Sequence, residues 1–244
     1  MNVDELGSIL GIWAHPDDEA YLSGGLMAMA RDAGSEVVCV TATRGEHGTS
    51  DPVTWPPDRL AVIRQDELTR SLGVLGVTKH HWLGYSDGEC ADVPAAEPVA
   101  RLSELIDEVR PDTIVTFGPE GHTGHPDHQA VSAWAESAFR RAAPAGTRLL
   151  HAAVSHEWAQ TWSDVHREFG IFQDGYPLAV DHDQLAVELV LDAGTLERKL
   201  HALTAQASQT SGLITLMGLS RYTRWVSQES FVDATRVPRS PAAR

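Results

Sequence analysis

Short apolar segments alternate with segments of helical periodicity along the first 155 residues of the chain. The apolar segments have the character of buried β-strands and lie at residues 8–14, 36–43, 80–83, 113–117 and 149–154. Between them, apolar side chains recur at helical intervals, which predicts helices at residues 24–33, 60–75, 99–109 and 127–141. Regular alternation of strand and helix is typical of βαβ units, whose strands pair in parallel.

The pattern changes after Ser155. Residues 188–191 predict one more strand and residues 196–207 one more helix, whereas residues 158–183 have no clean period. We therefore expect loops and short elements in this part of the chain, covering one end of the sheet.

The predicted fold is α/β, a three-layer Rossmann-like sandwich around a mostly parallel sheet. We expect one domain over residues 1–244, with its core at residues 1–155. An irregular C-terminal portion at residues 156–236 is expected to cap the site, and residues 237–244 are expected to form a frayed tail.

The charge balance excludes several kinds of partner. Lys and Arg number 19 against 34 Asp and Glu, a net charge of −15. Such a chain is poorly suited to neutralising phosphates, so we expect no nucleic-acid partner, and no segment approaches the ~20 apolar residues of a membrane span. Cys39 and Cys90 provide neither a C-x-x-C zinc site nor a disulfide framework. A cytoplasmic protein that binds a small molecule is predicted, with homo-oligomerisation left open.

Two polar clusters directly follow the first and fourth predicted strands. Residues 14–19 read Ala-His-Pro-Asp-Asp-Glu, and residues 121–128 read Gly-His-Thr-Gly-His-Pro-Asp-His. If the strand order is 3-2-1-4-5, these two strands are neighbours at the point where the order reverses, which is where open α/β sheets bind ligands. The two loops are therefore expected to face each other.

These loops offer the ligand types of a catalytic metal site. Zinc in such sites takes three protein ligands, from His and carboxylate, and leaves one position to water. His15 and Asp18 in the first loop, and His125 and His128 in the second, are four candidates for three ligand positions and one or two chemical roles. Asp17 is a fifth candidate, which as the immediate neighbour of Asp18 is not expected to face the ion from the same direction.

Together the two motifs resemble those of the LmbE-like, or PIG-L, N-acetylglucosaminyl deacetylases. These zinc-dependent amide hydrolases include the deacetylases of mycothiol and bacillithiol synthesis and mycothiol S-conjugate amidase. The resemblance implies His15, Asp18 and His128 as ligands of Zn²⁺, or of another divalent metal such as Fe²⁺. It implies Asp17 as the general base on the catalytic water, and His125 as the group that polarises the carbonyl or protonates the leaving amine.

Weaker matches to the same family imply three substrate contacts. The family's sugar-binding regions resemble the segments around Glu46, Arg64 and Asp87, so these residues are expected on the substrate side. Arg64 also has a simpler interpretation, because it could pair with Asp66 or Glu67 on an exposed helix face.

The predicted function is a metal-dependent hydrolase that removes an N-acetyl or other N-acyl group from a glucosamine-type or related small-molecule conjugate. The alternatives are a non-catalytic, metal-containing sugar-binding module and an amidase acting on thiol conjugates. A dinucleotide-binding oxidoreductase would share the fold class, but it needs G-x-G-x-x-G at the first strand-to-helix turn. The three adjacent acidic residues found there instead would repel a pyrophosphate.

Overall fold

The structure, a computed structural model, describes residues 3–236 of the chain. The strands are β1 (Ile9–Trp13), β2 (Val37–Thr43), β3 (Lys79–Tyr85), β4 (Thr113–Phe117), β5 (Arg148–Ala153), β6 (Leu185–Val190) and β7 (Gln228–Asp233). The α-helices are α1 (Asp18–Asp32), α2 (Pro57–Leu75), α3 (Ala96–Val109), α4 (Pro126–Ala142), α5 (His156–Thr161), α6 (Ser163–Phe169), α7 (Ala193–Ala205), α8 (Ala207–Met217) and α9 (Leu219–Trp225).

All these strands form one sheet in the order β3-β2-β1-β4-β5-β7-β6. The five strands from β3 to β5 pair in parallel, whereas β7 is antiparallel to both β5 and β6. Helices α1, α2 and α7 pack together, and α3 packs against α4. The α/β class, the mostly parallel sheet and the predicted order 3-2-1-4-5 are therefore confirmed.

The hydrophobic core lies around the three adjacent strands β2, β1 and β4, in which every residue is buried. The rings of Trp13 and Phe117 meet edge to face there, with their centroids 5.2 Å apart. Trp13 and Phe117 are the last residues of β1 and β4, so this packing fixes the points from which the two polar loops leave the sheet.

The structure departs from the sequence-based expectations in two places. Helix α1 begins at Asp18 rather than at residue 24. The sequence pattern missed this start because the buried acidic residues of the first turn interrupt the apolar periodicity. The C-terminal portion is more regular than expected, since β6 and β7 extend the sheet beyond β5. The expected tail at residues 237–244 lies outside the described residues, and among those described no helix has the length and apolar character of a membrane span.

A buried ion pair joins the C-terminal portion to α1. Lys199 Nζ lies 2.7 Å from Glu229 Oε1, and both side chains are inaccessible to solvent. Glu229 also accepts hydrogen bonds from the backbone N–H groups of Gly25 and Leu26, while Lys199 donates to the carbonyl of Tyr21. The ion pair therefore contacts backbone groups of α1 directly.

We expect Lys199→Met to destabilise the fold by about 3–5 kcal/mol, because it leaves the Glu229 carboxylate buried without a cation. Urea unfolding at constant metal content measures the change. The matched control is Arg140→Met, which breaks the surface pair of Arg140 and Glu136 and should cost less than about 1 kcal/mol. Equal effects in the two variants would mean that the buried pair does not hold the C-terminal portion to α1.

Candidate metal centre

The loops that follow β1 and β4 meet at one edge of the sheet, because these two strands pair directly. His15 Nδ1 lies 3.2 Å from His128 Nε2 and 3.7 Å from Asp18 Oδ2. His128 Nε2 in turn lies 3.4 Å from Asp18 Oδ1. All three residues are buried. Two loops distant in sequence thus bring three ligand-type side chains together.

These separations fit a shared divalent ion. Ligand atoms at ~2.0–2.2 Å from a tetrahedral zinc ion lie roughly 3.3–3.5 Å from one another, and two imidazoles with one carboxylate form a donor set of catalytic zinc sites. His125 is close to the same position, since ligand nitrogens of His15, His125 and His128 lie within 4.8 Å of one another. Geometry alone therefore keeps His125 as a further ligand candidate.

The second nitrogen of His15 faces two carboxylates. Its Nε2 lies 3.0 Å from Asp87 Oδ1 and 3.1 Å from Asp127 Oδ2. Burial by itself lowers the pKa of His15, but Asp127, Asp87 and Asp18 together raise the pKa to about 10. These carboxylates favour positive charge at the centre. A carboxylate that accepts from the second ring nitrogen commonly orients a metal-binding histidine.

The ring of His128 is held with Nε2 towards the other ligand atoms. Its Nδ1 lies 3.0 Å from the Gly121 carbonyl, which fixes the proton on Nδ1 and leaves the Nε2 lone pair available. The ring also stacks on Phe117, with the centroids 4.2 Å apart. Gly121 has φ 74°, and a Cβ there would lie 3.0 Å from the backbone nitrogen of Gln129, so this turn requires glycine. Burial lowers the pKa of His128 to about 4, so its imidazole is neutral.

Asp17 has a strained backbone, with φ 107° in a residue other than glycine. Its N–H donates to Glu19 Oε2 at 2.9 Å, and Glu19 Oε1 accepts from Gln206 Nε2 at 2.7 Å. The carboxylate Oδ2 of Asp17 lies 3.3 Å from Arg64 Nη2. Burial raises the pKa of Asp17 to about 7, although Arg64 acts in the opposite direction. The side chain is thus a carboxylate poised to accept a proton near neutral pH.

His125 precedes α4 and caps its N-terminus. Its Nδ1 accepts a hydrogen bond from the backbone N–H of Asp127 at 3.1 Å, so the neutral ring carries its proton on Nε2. Burial lowers the pKa of His125, which keeps the ring neutral. The centroid of the ring lies 4.9 Å from that of His15 and 5.1 Å from that of His128. An N–H donor therefore stands directly beside the ligand cluster.

The cluster opens into a cavity of about 470 Å³. Its polar lining includes His47, Arg64 and Asp87, and large apolar side chains from the C-terminal portion line another part. A volume of this size accommodates a small organic molecule.

Comparison with known proteins identifies the family. Residues 10–139, more than half of the chain, match the PIG-L family, described as GlcNAc-PI de-N-acetylase. The chain is 33% identical over 254 aligned residues to a 1D-myo-inositol 2-acetamido-2-deoxy-alpha-D-glucopyranoside deacetylase of Kineococcus radiotolerans, covering 86% of this chain and 70% of the relative. The chain belongs to the PIG-L family. A deacetylase of the same name from Mycobacterium sp. (strain KMS) is 30% identical, with 83% and 74% of the two chains covered.

Solved structures agree with this assignment. The N,N'-diacetylchitobiose deacetylase from Pyrococcus horikoshii aligns with a TM-score of 0.66 and 25% identity, covering 93% of this chain and 83% of that chain. A teicoplanin deacetylase in a zinc-inhibited form shares the fold, with a TM-score of 0.64, 17% identity and coverage of 94% and 100%. The family predicted from the two motifs is confirmed, and with it the class of enzyme, a deacetylase.

The three predicted substrate contacts of this PIG-L protein take different positions. Arg64 is 3% exposed and donates to the backbone carbonyls of Pro16 and Gly45, so it does not lie on an exposed helix face with Asp66 or Glu67. Its substrate role stays a prediction, as do those of the other two residues.

Asp87 and Glu46 form part of the support around the cluster. Asp87 contacts His15 and accepts the backbone N–H of His47 at 2.9 Å, while its own N–H donates to Glu46 Oε1 at 3.1 Å. Asp87 lines the cavity, and Glu46 orders the loop behind it. Oδ1 of Asp87 faces His15 and Oδ2 accepts from His47, so a substrate contact would use a second lone pair of one of these oxygens.

Sequence reasoning missed Asp127. Its carboxylate is fully buried and accepts the backbone N–H groups of Gly88 and Cys90, besides facing His15. It thereby ties the loop after β3 to the centre. The repeated His-Pro-Asp of the two motifs was the signal that could have found it, since both copies place an acid two residues after a histidine.

Proposed function

We propose that this PIG-L protein is a zinc-dependent N-deacetylase of a small amino-sugar conjugate, with His15, Asp18 and His128 as the metal ligands. The observation that carries the proposal is the convergence of these three side chains, at separations of 3.2–3.7 Å, beside a buried carboxylate and an imidazole N–H donor. The names of the relatives support glucosamine linked to another small molecule as the substrate class.

Asp18 is a better third ligand than His125. The Asp18 carboxylate spans the two histidine nitrogens with one oxygen near each, whereas Nδ1 of His125 is already occupied by the backbone N–H of Asp127. Asp18 is also held by the backbone N–H of His15, which donates to Oδ2 at 2.8 Å. This assignment leaves the Nε2–H of His125 free to donate a hydrogen bond to the substrate.

A divalent ion bound here would supply Lewis acidity, polarising the amide carbonyl and making water a better nucleophile at neutral pH. Asp17 accepts the proton of the attacking water. Its strained backbone, held by Glu19, and its contact with Arg64 orient the carboxylate for that role. A base positioned in this way typically contributes roughly 10²–10⁴-fold to the rate.

His125 acts on the opposite side of the reaction. Its Nε2–H donates a hydrogen bond to the developing oxyanion, and because a neutral ring is not an acid, the proton that Asp17 takes from the water passes on to the departing amine. The backbone N–H of Asp127 holds Nδ1 and prevents the ring from turning that donor away. The base Asp17 and the hydrogen-bond donor His125 are thus carried by different loops.

The test is a primary-amine release assay on a panel of N-acetylated glucosamine conjugates, with and without a chelator. We expect turnover on at least one conjugate, loss of turnover with chelator, and recovery with Zn²⁺ in preference to Fe²⁺. Tight binding of a conjugate without release of amine would instead support the sugar-binding module, and turnover restricted to thiol conjugates would support the amidase.

We propose a cytoplasmic location for this activity. Cys39 and Cys90 are both free and buried, which is typical of proteins from reducing compartments. Fractionation of the native host with a specific antibody tests this location.

A further inference from the structure

We propose that Gln206, which lies between α7 and α8, is a positioning residue for the base Asp17. The side-chain amide of Gln206 holds the carboxylate of Glu19, and Glu19 holds the backbone of Asp17 in its strained conformation. The inference rests on the proposed role of Asp17 as the base. It gives the C-terminal portion of the chain a part in the reaction.

The strained torsion of Asp17 is the rotation about its N–Cα bond, which sets the direction of its N–H. On one side of this bond, the Asp17 carbonyl is fixed by the first turn of α1, because it accepts the N–H groups of Ala20 at 3.0 Å and Tyr21 at 2.9 Å. On the other side, the Asp17 N–H donates to Glu19 Oε2 at 2.9 Å. A φ of 107° in a residue other than glycine persists only where the surrounding structure holds it, so the bond to Glu19 acts directly on the strained torsion.

Glu19 can hold that N–H only if its own carboxylate is fixed. The residue is completely buried, and its two carboxylate oxygens have different partners. Oε2 faces the Asp17 N–H, while Oε1 accepts from Gln206 Nε2 at 2.7 Å. The last torsion of a glutamate side chain has broad preferences, so without the second donor the carboxylate is free to turn and its hold on Asp17 weakens.

The junction of α7 and α8 is anchored without the help of the bond to Glu19. Ser208 donates its backbone N–H to Glu67 Oε1 at 2.8 Å and its hydroxyl to Glu67 Oε2, which ties the junction to α2. Gln206 Nε2 also donates to Ser71 Oγ, on the same helix, at 3.0 Å. The amide of Gln206 is therefore placed by α2 and presented to Glu19 from a fixed position.

The amide of Gln206 is a poor choice for stability alone. Gln206 is 1% exposed, and its Oε1 is buried without a hydrogen-bond partner among the residues that the structure describes. A buried oxygen without a partner destabilises a fold. What the amide provides, and an apolar side chain of the same size would not, is the hydrogen bond to Glu19.

The experiment compares kcat, KM and metal content in Gln206→Met and Gln206→His, on an N-acetylated conjugate that the unmodified protein cleaves. Methionine has a similar length but no donor, so kcat should fall by roughly 10–100-fold while KM and metal content stay nearly unchanged. Histidine places its Nε2 as many bonds from Cβ as glutamine does, so Gln206→His should retain most of kcat. Gln206→Asn keeps the amide but is one methylene too short to reach Glu19, and kcat should fall as in Gln206→Met.

The matched control is Ser71→Ala, which removes the other partner of Gln206 Nε2 and should leave kcat unchanged. Normal kcat in Gln206→Met, or equal loss in Gln206→Met and Gln206→His, would overturn the inference, because the hydrogen bond to Glu19 would then not matter. Loss of the metal together with kcat would also overturn it, by placing the effect at the ligands rather than at the base.

A structural measurement separates this inference from the proposed function. If the unmodified protein cleaves no amide, the proposed function fails, and crystal structures of the unmodified protein and Gln206→Met then decide the inference. Asp17 should leave the positive φ region in the variant. An unchanged φ at Asp17 would overturn the positioning role of Gln206, whatever the enzyme cleaves.

Discussion

His128→Ala is expected to abolish metal binding, from about one divalent ion per chain to about none, and to lower kcat/KM by at least about 10³-fold. The imidazole supplies one of three ligands, and its Nε2 lies 3.2 Å from His15 Nδ1 and 3.4 Å from Asp18 Oδ1. Removing it leaves two ligands, which hold zinc far more weakly, and takes away the Lewis acid that polarises the carbonyl. Elemental analysis after dialysis and the amine-release assay measure the two effects.

The matched control is His80→Ala. His80 is a half-buried histidine in β3 that hydrogen-bonds to Thr41 at 2.9 Å, away from the loops after β1 and β4. This variant should keep about one ion per chain. Metal content that is normal in His128→Ala would remove His128 from the ligand set and make His125 the ligand in its place.

The position of the centre was predictable from local sequence alone. Residues 8–14 and 113–117 are short apolar segments, so each indicates a buried strand, and a polar loop that follows a buried parallel strand must emerge at the carboxyl edge of the sheet. His15 and His128 meet because β1 and β4 are neighbours. Parallel pairing with crossover helices permits few strand orders, which is why the order of β1 to β5 was accessible too.

Strand β7 was not predictable from its pattern. The residues that it buries are Glu229, Phe231 and Asp233, so two of its three inward positions are acidic and the usual alternation of apolar and polar residues is absent. Glu229 is stable there because Lys199, from α7, pairs with it and two backbone N–H groups of α1 donate to it. A signal that depends on a contact between distant segments is invisible to local periodicity.

Arg64 shows the same limit within the site. Acidic neighbours on its own helix offered a local partner, yet its guanidinium is buried against the carbonyls of Pro16 and Gly45 and the carboxylate of Asp17. The guanidinium of Arg64 is buried because α2 packs over the loop after β1. The spacing of residues along α2 does not reveal this packing. The same packing gives Arg64 a direct electrostatic effect on Asp17, beyond the substrate contact predicted for it.

Asp17→Asn should keep the metal and lower kcat by roughly 10²–10⁴-fold, with KM nearly unchanged. Asparagine matches the shape of aspartate and tolerates positive φ, so the strained backbone at φ 107° and its hydrogen bond to Glu19 should persist while the proton acceptor is lost. Asp107→Asn, on the exposed face of α3, provides the control and should retain full activity. Steady-state kinetics and metal analysis of the same samples distinguish the outcomes. A near-normal kcat would mean that another residue is the base. Loss of the ion together with activity would place Asp17 among the metal ligands.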